Sequence, residues 1–477
     1  MASVETSKTN TNTPGLRREL GVWAAAAIVV GTVIGSGIFL VPKSMVLRVG
    51  SPDTVFLVWV AGGLLSLFGA LTYAELASAM PEAGGEYVYL REAYGPFWAF
   101  VYGWTQMWVA KSGSIATLAT GFFAYLANFY PGLEQVLARI PIPIGPNWGP
   151  VEIRSGQLLA IVVILLLAWL NYFGVKVGGN VQVAITALKV GLIAAIIVVG
   201  LTTGHGTPAN FHTAVPAAAG LSGFLAALVA ALWAYDGWNN VSMVSSEIRE
   251  PQRNLPRALI FGTAAVMLIY LLTNAAYFYV LSASEVAGSS RVAAEMMRRI
   301  FGGPGANAVS IAAMISIFSA LNGSILSGSR VPYAMARDGL FFRSVGTVHA
   351  THHTPSVSII LLSLWASVLV LSGRYDDLLN LVIFASWILY AMATASVIVL
   401  RRKRPDMPRP YRTLGYPAVP VLFVGAAGLL LVNTMMVYPR ESILGLVVIL
   451  IGIPFYFHWR KKLVQSRVDS TVLPPKI

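Results

Sequence analysis

The chain has 477 residues, 56% of them hydrophobic and only 11% charged, against about 25% charged in soluble domains. It carries 33 Lys and Arg against 20 Asp and Glu, a net charge of +13, and no cysteine. This is the composition of a polytopic membrane protein, and it excludes a disulfide framework, a thiolate metal site and a cysteine nucleophile.

A membrane span needs about 20 apolar residues. Twelve segments qualify, at 22–46, 54–80, 96–127, 156–174, 180–203, 220–247, 256–282, 304–336, 356–373, 377–400, 417–437 and 441–460. They are apolar all round and show no strand alternation, so the expected class is an all-α membrane protein with twelve transmembrane helices. The first 20 residues are polar and lead straight into span 1, which is expected to act as the insertion signal in place of a cleavable leader. With the N-terminus inside, 22 of the 33 Lys and Arg fall on the inner side, nine outside and two within the membrane. The positive-inside rule then places both termini in the cytoplasm of a cell (inner) membrane protein, with Arg401–Arg404 as the strongest anchor. The basic charge serves topology, and no nucleic-acid partner is expected. Between spans 3 and 4, residues 128–155 form a Pro-rich external loop. Between spans 7 and 8, Val292 to Ile300 reads as a short amphipathic helix, either a cap on the outer face or, preferably, a helix lying on the surface.

Span 1 contains Gly31-Thr-Val-Ile34-Gly35-Ser36-Gly37-Ile-Phe39. Each glycine weakens a helix by about 1 kcal/mol relative to Ala. Small residues pack helices closely, but they also mark a broken helix whose backbone lines a site. Span 6 repeats the anomaly as Trp233-Ala234-Tyr-Asp236-Gly237-Trp-Asn-Asn240, about 200 residues later. Two interrupted spans at corresponding places point to a secondary transporter built from repeats. Lys111-Ser-Gly-Ser114 in span 3 is weakly echoed by Asn322-Gly-Ser324 in span 8. Five plus five inverted spans, with spans 1 and 6 broken, account for both pairs. The expected divisions are a cytoplasmic tail (1–20), a first repeat (21–203), a second repeat (204–400), the last two spans with their basic loop (401–462) and a cytoplasmic tail (463–477).

The breaks carry chemistry. The half-helix starting after Gly37 offers N–H groups and a positive dipole end, which suits a carboxylate. The half-helix ending at Trp233–Ala234 offers carbonyls, which suit an ammonium. A site with both poles fits an α-amino acid, with Asp236 as an intramembrane carboxylate beside it.

At this point the chain resembles the L-type amino acid transporter family of the amino acid–polyamine–organocation (APC) superfamily, in its bacterial stand-alone form. The resemblance is carried by Gly31–Phe39, Tyr73-Ala-Glu-Leu76 with Pro81-Glu-Ala-Gly-Gly-Glu-Tyr87, Trp233–Trp238 and Glu247-Ile-Arg-Glu-Pro-Gln-Arg-Asn-Leu-Pro256. Tyr270-Leu-Leu-Thr-Asn274, Ala276-Tyr277 and Asn322 through Arg330 to Arg337-Asp-Gly339 add to it. It implies a LeuT-like fold and alternating access. The substrate carboxylate would lie on the backbone of Gly35, Ser36 and Gly37. Carbonyls near Ile34 and at Trp233–Ala234, bordered by Asp236 and Gly237, would hold its ammonium. Trp233 would close the site from outside, its bulk narrowing the pocket, and Tyr270 would support the first break. The family's animal members are disulfide-linked to a glycoprotein through the loop between spans 3 and 4; without cysteine, no such heavy chain is expected here.

Lys189, in the middle of span 5, needs a partner or a task. By the resemblance it sits where sodium-coupled relatives of the fold hold Na⁺, contacting carbonyls near Gly35 and a hydroxyl of span 8. It is then either a fixed charge replacing the cation or a proton-coupling group. Lys111 either faces a vestibule or pairs with an acid, and Glu75 is expected in a structural ion pair. The reading is a sodium-independent transporter exchanging neutral L-amino acids, with the bilayer as its other partner, no cofactor, no metal and no catalysis. The alternatives are proton-coupled uptake through Lys189 and a non-transporting amino acid sensor, for which the short termini leave little room.

Overall fold

A computed structural model describes residues 15–140, 151–217, 220–372, 375–437 and 439–472. The chain is helical almost throughout. Nine helical stretches among the described residues are long and apolar enough to cross a membrane. The first is divided into α1 (Val22–Val33) and α2 (Gly37–Val49). Gly50 stops α2 in the left-handed region (φ 82), its N–H closing on Val46 O at 2.8 Å. Pro52 then opens α3 (Pro52–Ala79), where its missing N–H is no loss.

A short helix α4 (Glu86–Tyr94) precedes α5 (Pro96–Thr105), a π turn at Gln106–Ala110, and α6 (Lys111–Leu126). Expected span 3 is therefore helical but interrupted, which keeps it out of the nine. A departure from the all-α expectation follows. Val136–Ile140 and Val151–Arg154 pair as antiparallel strands β1 and β2 within the Pro-rich connection. These strands are too short for an alternating pattern to stand out, and residues 141–150 of that loop lie outside the described residues.

α7 (Ser155–Tyr172) and α8 (Val175–Thr202) complete the first half. The second opens with α9 (Leu221–Tyr235) and α10 (Asn240–Met243), then α11 (Pro251–Val280) and α12 (Ala283–Gly288). α13 (Val292–Gly328) is two helices in one, because Gly302 (φ 66, ψ −150) leaves the helical region. The segment before this kink is the expected amphipathic helix. It does not lie on the surface: Val292, Ala293, Met296, Met297 and Ile300 are buried, and Met296 packs onto Gly200 at the end of α8. α14 (Arg330–Arg337), α15 (Ser356–Ser372), α16 (Tyr375–Lys403), α17 (Ala418–Val437) and α18 (Pro439–Val472) follow. α15 is apolar, but at 17 residues it is shorter than the nine.

α3 lies along α11, α1 against α8 and α11, and α2 against α9. Large apolar side chains are exposed on the outer helices, as with Val162 and Trp169 of α7 (58% each) and Leu429 of α17 (64%). In water this surface would be untenable; it is the lipid-facing surface of a bilayer protein. Two of the acids drawn inward, Glu75 and Glu247, are held in ion pairs. Glu75 binds Arg401 at 2.7 Å and Arg409 at 3.3 Å, the expected structural ion pair. Arg330, near the inner end of expected span 8, is buried against Glu247 at 2.7 Å.

Candidate functional site between the two breaks

The α1 ladder ends when Ile34 (φ −73, ψ 87) turns out of the helical region after its N–H bonds Val30 O. Residues 34–36 form a bend before Gly37 starts α2. Carbonyls at the end of α1 and N–H groups at the start of α2 therefore lack ladder partners.

α8 supplies the missing donors. Gln182, Thr186 and Lys189 fall at i, i+4 and i+7, on one face of the helix. Gln182 Nε2 and Thr186 Oγ1 each add a bond to Ala27 O, still within the α1 ladder, at 3.3 Å. Lys189 Nζ donates to Gly31 O at 2.6 Å, Ile34 O at 2.5 Å and Ser316 O at 3.3 Å. Three acceptors match the three protons of an ammonium, and all three are carbonyls. The expected hydroxyl contact takes another form: Ser316 of α13 turns its Oγ to Ile34 O (3.0 Å) and Gly35 O (3.4 Å), beside the lysine and not on it.

The second break is abrupt. α9 ends at Tyr235, one residue beyond the expected end. Asp236 is extended (φ −62, ψ 145) and Gly237 has φ 106, a region that L side chains rarely enter. The two breaks touch through their backbones. A Cβ on Gly37 would stand 2.5 Å from Ala234 Cα, and one on Gly237 would stand 3.1 Å from Thr32 Oγ1. Thr32 Oγ1 donates to Gly237 O at 2.9 Å. The Tyr270 hydroxyl lies 2.9 Å from Val33 O and 2.8 Å from Ala234 O. With one proton for two acceptors, it bridges the breaks without saturating them. The carbonyls of Trp233 and Ala234 are thus not bare: Trp233 O accepts from Asp236 N–H (3.1 Å) and Ala234 O from Tyr270. Each carbonyl keeps a second lone pair.

Between the breaks lies a polar cavity of about 20 Å³, room for about one water. Gly35, Ser36 and Gly37 line one side and Trp233, Asp236 and Gly237 the other, with Ser114, Leu118 and Ser324 from α6 and α13. The sequence-predicted residues are thus gathered at one place. Ile34 and Ala234 adjoin it through their carbonyls, and Lys189 and Tyr270 stand behind the breaks. An amino acid needs more room, so occupancy requires the helices to part.

A second polar network, absent from the sequence reading as a unit, lies beside the second break. Lys111 Nζ donates to Asn240 Oδ1 at 2.6 Å, not to an acid, with Asp236 and Glu86 near enough to act on its charge. Tyr390 donates to Asp236 Oδ1 at 2.8 Å. Asn239 and Ser242 donate to the buried Glu86 carboxylate. Ser316 and Tyr390 carry no sequence signal, and Thr32 was visible only as part of the Gly31–Phe39 segment. Glu86 lies in the quoted Pro81–Tyr87 segment, and its polar partners Asn239 and Asn240 were visible in span 6. Among the described residues no group of three or more His, Cys, Asp or Glu is gathered to hold a metal.

A multi-pass helical bundle whose polar cavity lies between two interrupted helices has the organisation of a membrane transporter. The Amino acid permease family model matches residues 20–453, and the chain belongs to that family. It is 33% identical over 95% of its length to the serine/threonine exchanger SteT of Bacillus subtilis (strain 168), covering 99% of that protein. It is 32% identical to the b(0,+)-type amino acid transporter 1 of Mus musculus, covering 95% of this chain and 90% of the relative. It is 31% identical to the cystine/glutamate transporter of Homo sapiens, covering 95% of this chain and 88% of the relative. The family and these relatives are amino acid transporters and not enzymes.

Proposed function

We propose that the chain is a sodium-independent exchanger of neutral L-amino acids, working by alternating access around the cavity between the breaks. The observation that carries the reading is Lys189. Its ammonium sits on the Gly31, Ile34 and Ser316 carbonyls, a buried cation of fixed position that leaves no task for Na⁺. The substrate carboxylate would rest on the N–H groups at Gly35, Ser36 and Gly37. Its ammonium would take the second lone pairs of the Trp233 and Ala234 carbonyls, beside Ile34 O, which already accepts from Lys189 and Ser316, with Asp236 and Gly237 at the border and Trp233 closing the outer side. Asp236 already has Tyr390 and a nearby Lys111 to offset its charge, which favours neutral side chains. The relatives' names span serine, threonine, cystine and glutamate, so what they share is the α-amino acid group that the backbone breaks are suited to hold.

The same reading includes a twelve-span, LeuT-like 5+5 arrangement with repeats at 21–203 and 204–400, both termini in the cytoplasm of an inner-membrane protein. The side-by-side breaks support it, as does the pairing of α3 with α11, one from each half. The three spans beyond the nine long helices are interrupted or short, as gating and packed helices in transporters are. With no cysteine in the chain, it is expected to work without a disulfide-linked heavy chain.

The test is uptake of labelled serine into proteoliposomes. Uptake should require amino acid inside and be unchanged when Na⁺ replaces K⁺. Equal uptake into empty vesicles overturns exchange, and acceleration there by an inward proton gradient favours the coupled alternative.

A further inference from the structure

A second, larger cavity lies away from the breaks. It measures about 1070 Å³ and opens between α5, α14, the turn after α14, and α18. Its polar wall holds four arginines, Arg91, Arg337, Arg343 and Arg460, and one acid, Asp338. Arg91 and Asp338 satisfy each other at 3.0 Å, and Arg91 is held further by Glu82 and Glu92. Arg337, Arg343 and Arg460 are exposed and make no ion pair or hydrogen bond among the described residues. Three positive charges therefore face one cavity without anions of their own.

Much of the rest of the wall is apolar, with Leu463 and the exposed Val464 at its surface and the buried Leu340 and Tyr456 behind them. Leu463 packs onto Gly339, so this wall is continuous from α18 to the end of α14. The height of the cavity is set by α18, whose apolar run passes into Arg460-Lys461-Lys462. That transition marks the boundary between hydrocarbon and water. Phe342 (56% exposed), Phe455 (44%) and Phe457 (56%) lie close by in the chain, Phe342 against Trp459 of α18 at 5.4 Å, and supply apolar surface suited to lipid.

We propose that this cavity binds an anionic phospholipid, the phosphate and headgroup held by Arg337, Arg343 and Arg460 and an acyl chain laid along Leu463 and Val464 of α18. A basic pocket between spans at the interface recognises such headgroups through charge and geometry. Arginine forks match phosphate oxygens in pairs. A free phosphate would satisfy the arginines but leave the apolar wall uncovered, whereas a lipid covers both.

The experiment uses the full chain, purified and stripped of lipid in detergent. Retained lipid is counted by native mass spectrometry and the unfolding midpoint is measured with dioleoyl phosphatidylglycerol, dioleoyl phosphatidylcholine or inorganic phosphate. The wild type should retain phosphatidylglycerol in preference to phosphatidylcholine, and its midpoint should rise by several degrees with phosphatidylglycerol alone. Arg337→Gln, Arg343→Gln and Arg460→Gln combined should weaken phosphatidylglycerol binding by about 10-fold or more. The single Arg460→Gln, at an exposed position, should weaken it in the same direction if the triple variant does not fold. Absence of preference in the wild type overturns the proposal before any variant is made. Equal stabilisation by inorganic phosphate makes this a soluble-anion site and also overturns it, as does undiminished lipid binding in the variants.

Discussion

Each of the two breaks has a buried lysine beside it, and the two lysines are bonded in opposite ways. Lys189 at the first break meets only backbone, three carbonyls from two helices, with no side chain to share the load. Lys111 near the second break meets a side-chain amide, in a network that also holds the acids Asp236 and Glu86, to which Tyr390, Asn239 and Ser242 are bonded. A cation held by backbone alone fixes geometry: its contacts persist only while α1, α8 and α13 hold their relative positions. A cation in a side-chain network is held by groups that can change partners. The first break therefore reads as a strut and the second as an adjustable bed.

The largest effect should follow from cutting the strut. Lys189→Met keeps most of the volume but removes the charge, leaving two short charge-assisted bonds unmade. At about 1.5–3 kcal/mol each, the loss should exceed about 100-fold in uptake, with a clear fall in the unfolding midpoint. Wild-type kinetics in this variant would sink the strut and, with it, the argument for sodium independence. Lys111→Met should be milder, because Asn240 can turn and the acids retain Tyr390, Asn239 and Ser242. About 10-fold in uptake is expected, at a cost of one charged bond, together with a shift in which amino acids compete for uptake. Equal damage from the two lysine variants would erase the distinction drawn between the breaks.

The breaks were legible because glycine and polar residues at mid-span have few structural excuses in hydrocarbon. Gly35, Gly37, Asp236 and Gly237 announced themselves, and Lys189 did so by its charge. The partners were not legible. Nothing in the sequence distinguishes Ser316 from the other serines of span 8, or says that its hydroxyl turns to Ile34 while its carbonyl takes Lys189. The topology count adds Arg330 only as one inner-side charge, whereas its pairing with Glu247 depends on tertiary packing. The amphipathic Val292–Ile300 carried the pattern of a surface helix, but that pattern only says that one face is apolar. Packing against Gly200 decides that the face is buried.

Two smaller changes sharpen the comparison within the second break and between the breaks. Glu86→Gln preserves shape while removing a charge, and one of its amide hydrogens would confront Asn239 or Ser242, both donors now. A several-fold drop in uptake with about 1 kcal/mol lost in stability is expected, measured by initial rates and denaturant unfolding. No change in either would mean that Glu86 contributes packing alone.

Tyr270→Phe should do least, and its size is informative for that reason. The hydroxyl has one proton for Val33 O and Ala234 O, so only one bond is made at any moment, worth about 1 kcal/mol. The ring stays packed edge-on to Trp59, with centroids 5.2 Å apart, so no cavity forms. If the bridge merely stabilises the fold, the unfolding midpoint falls slightly and the exchange rate stays put. If it couples the breaks, the exchange rate changes by a few-fold while substrate affinity holds, because the tie between Val33 and Ala234 must be made and released as the half-helices part.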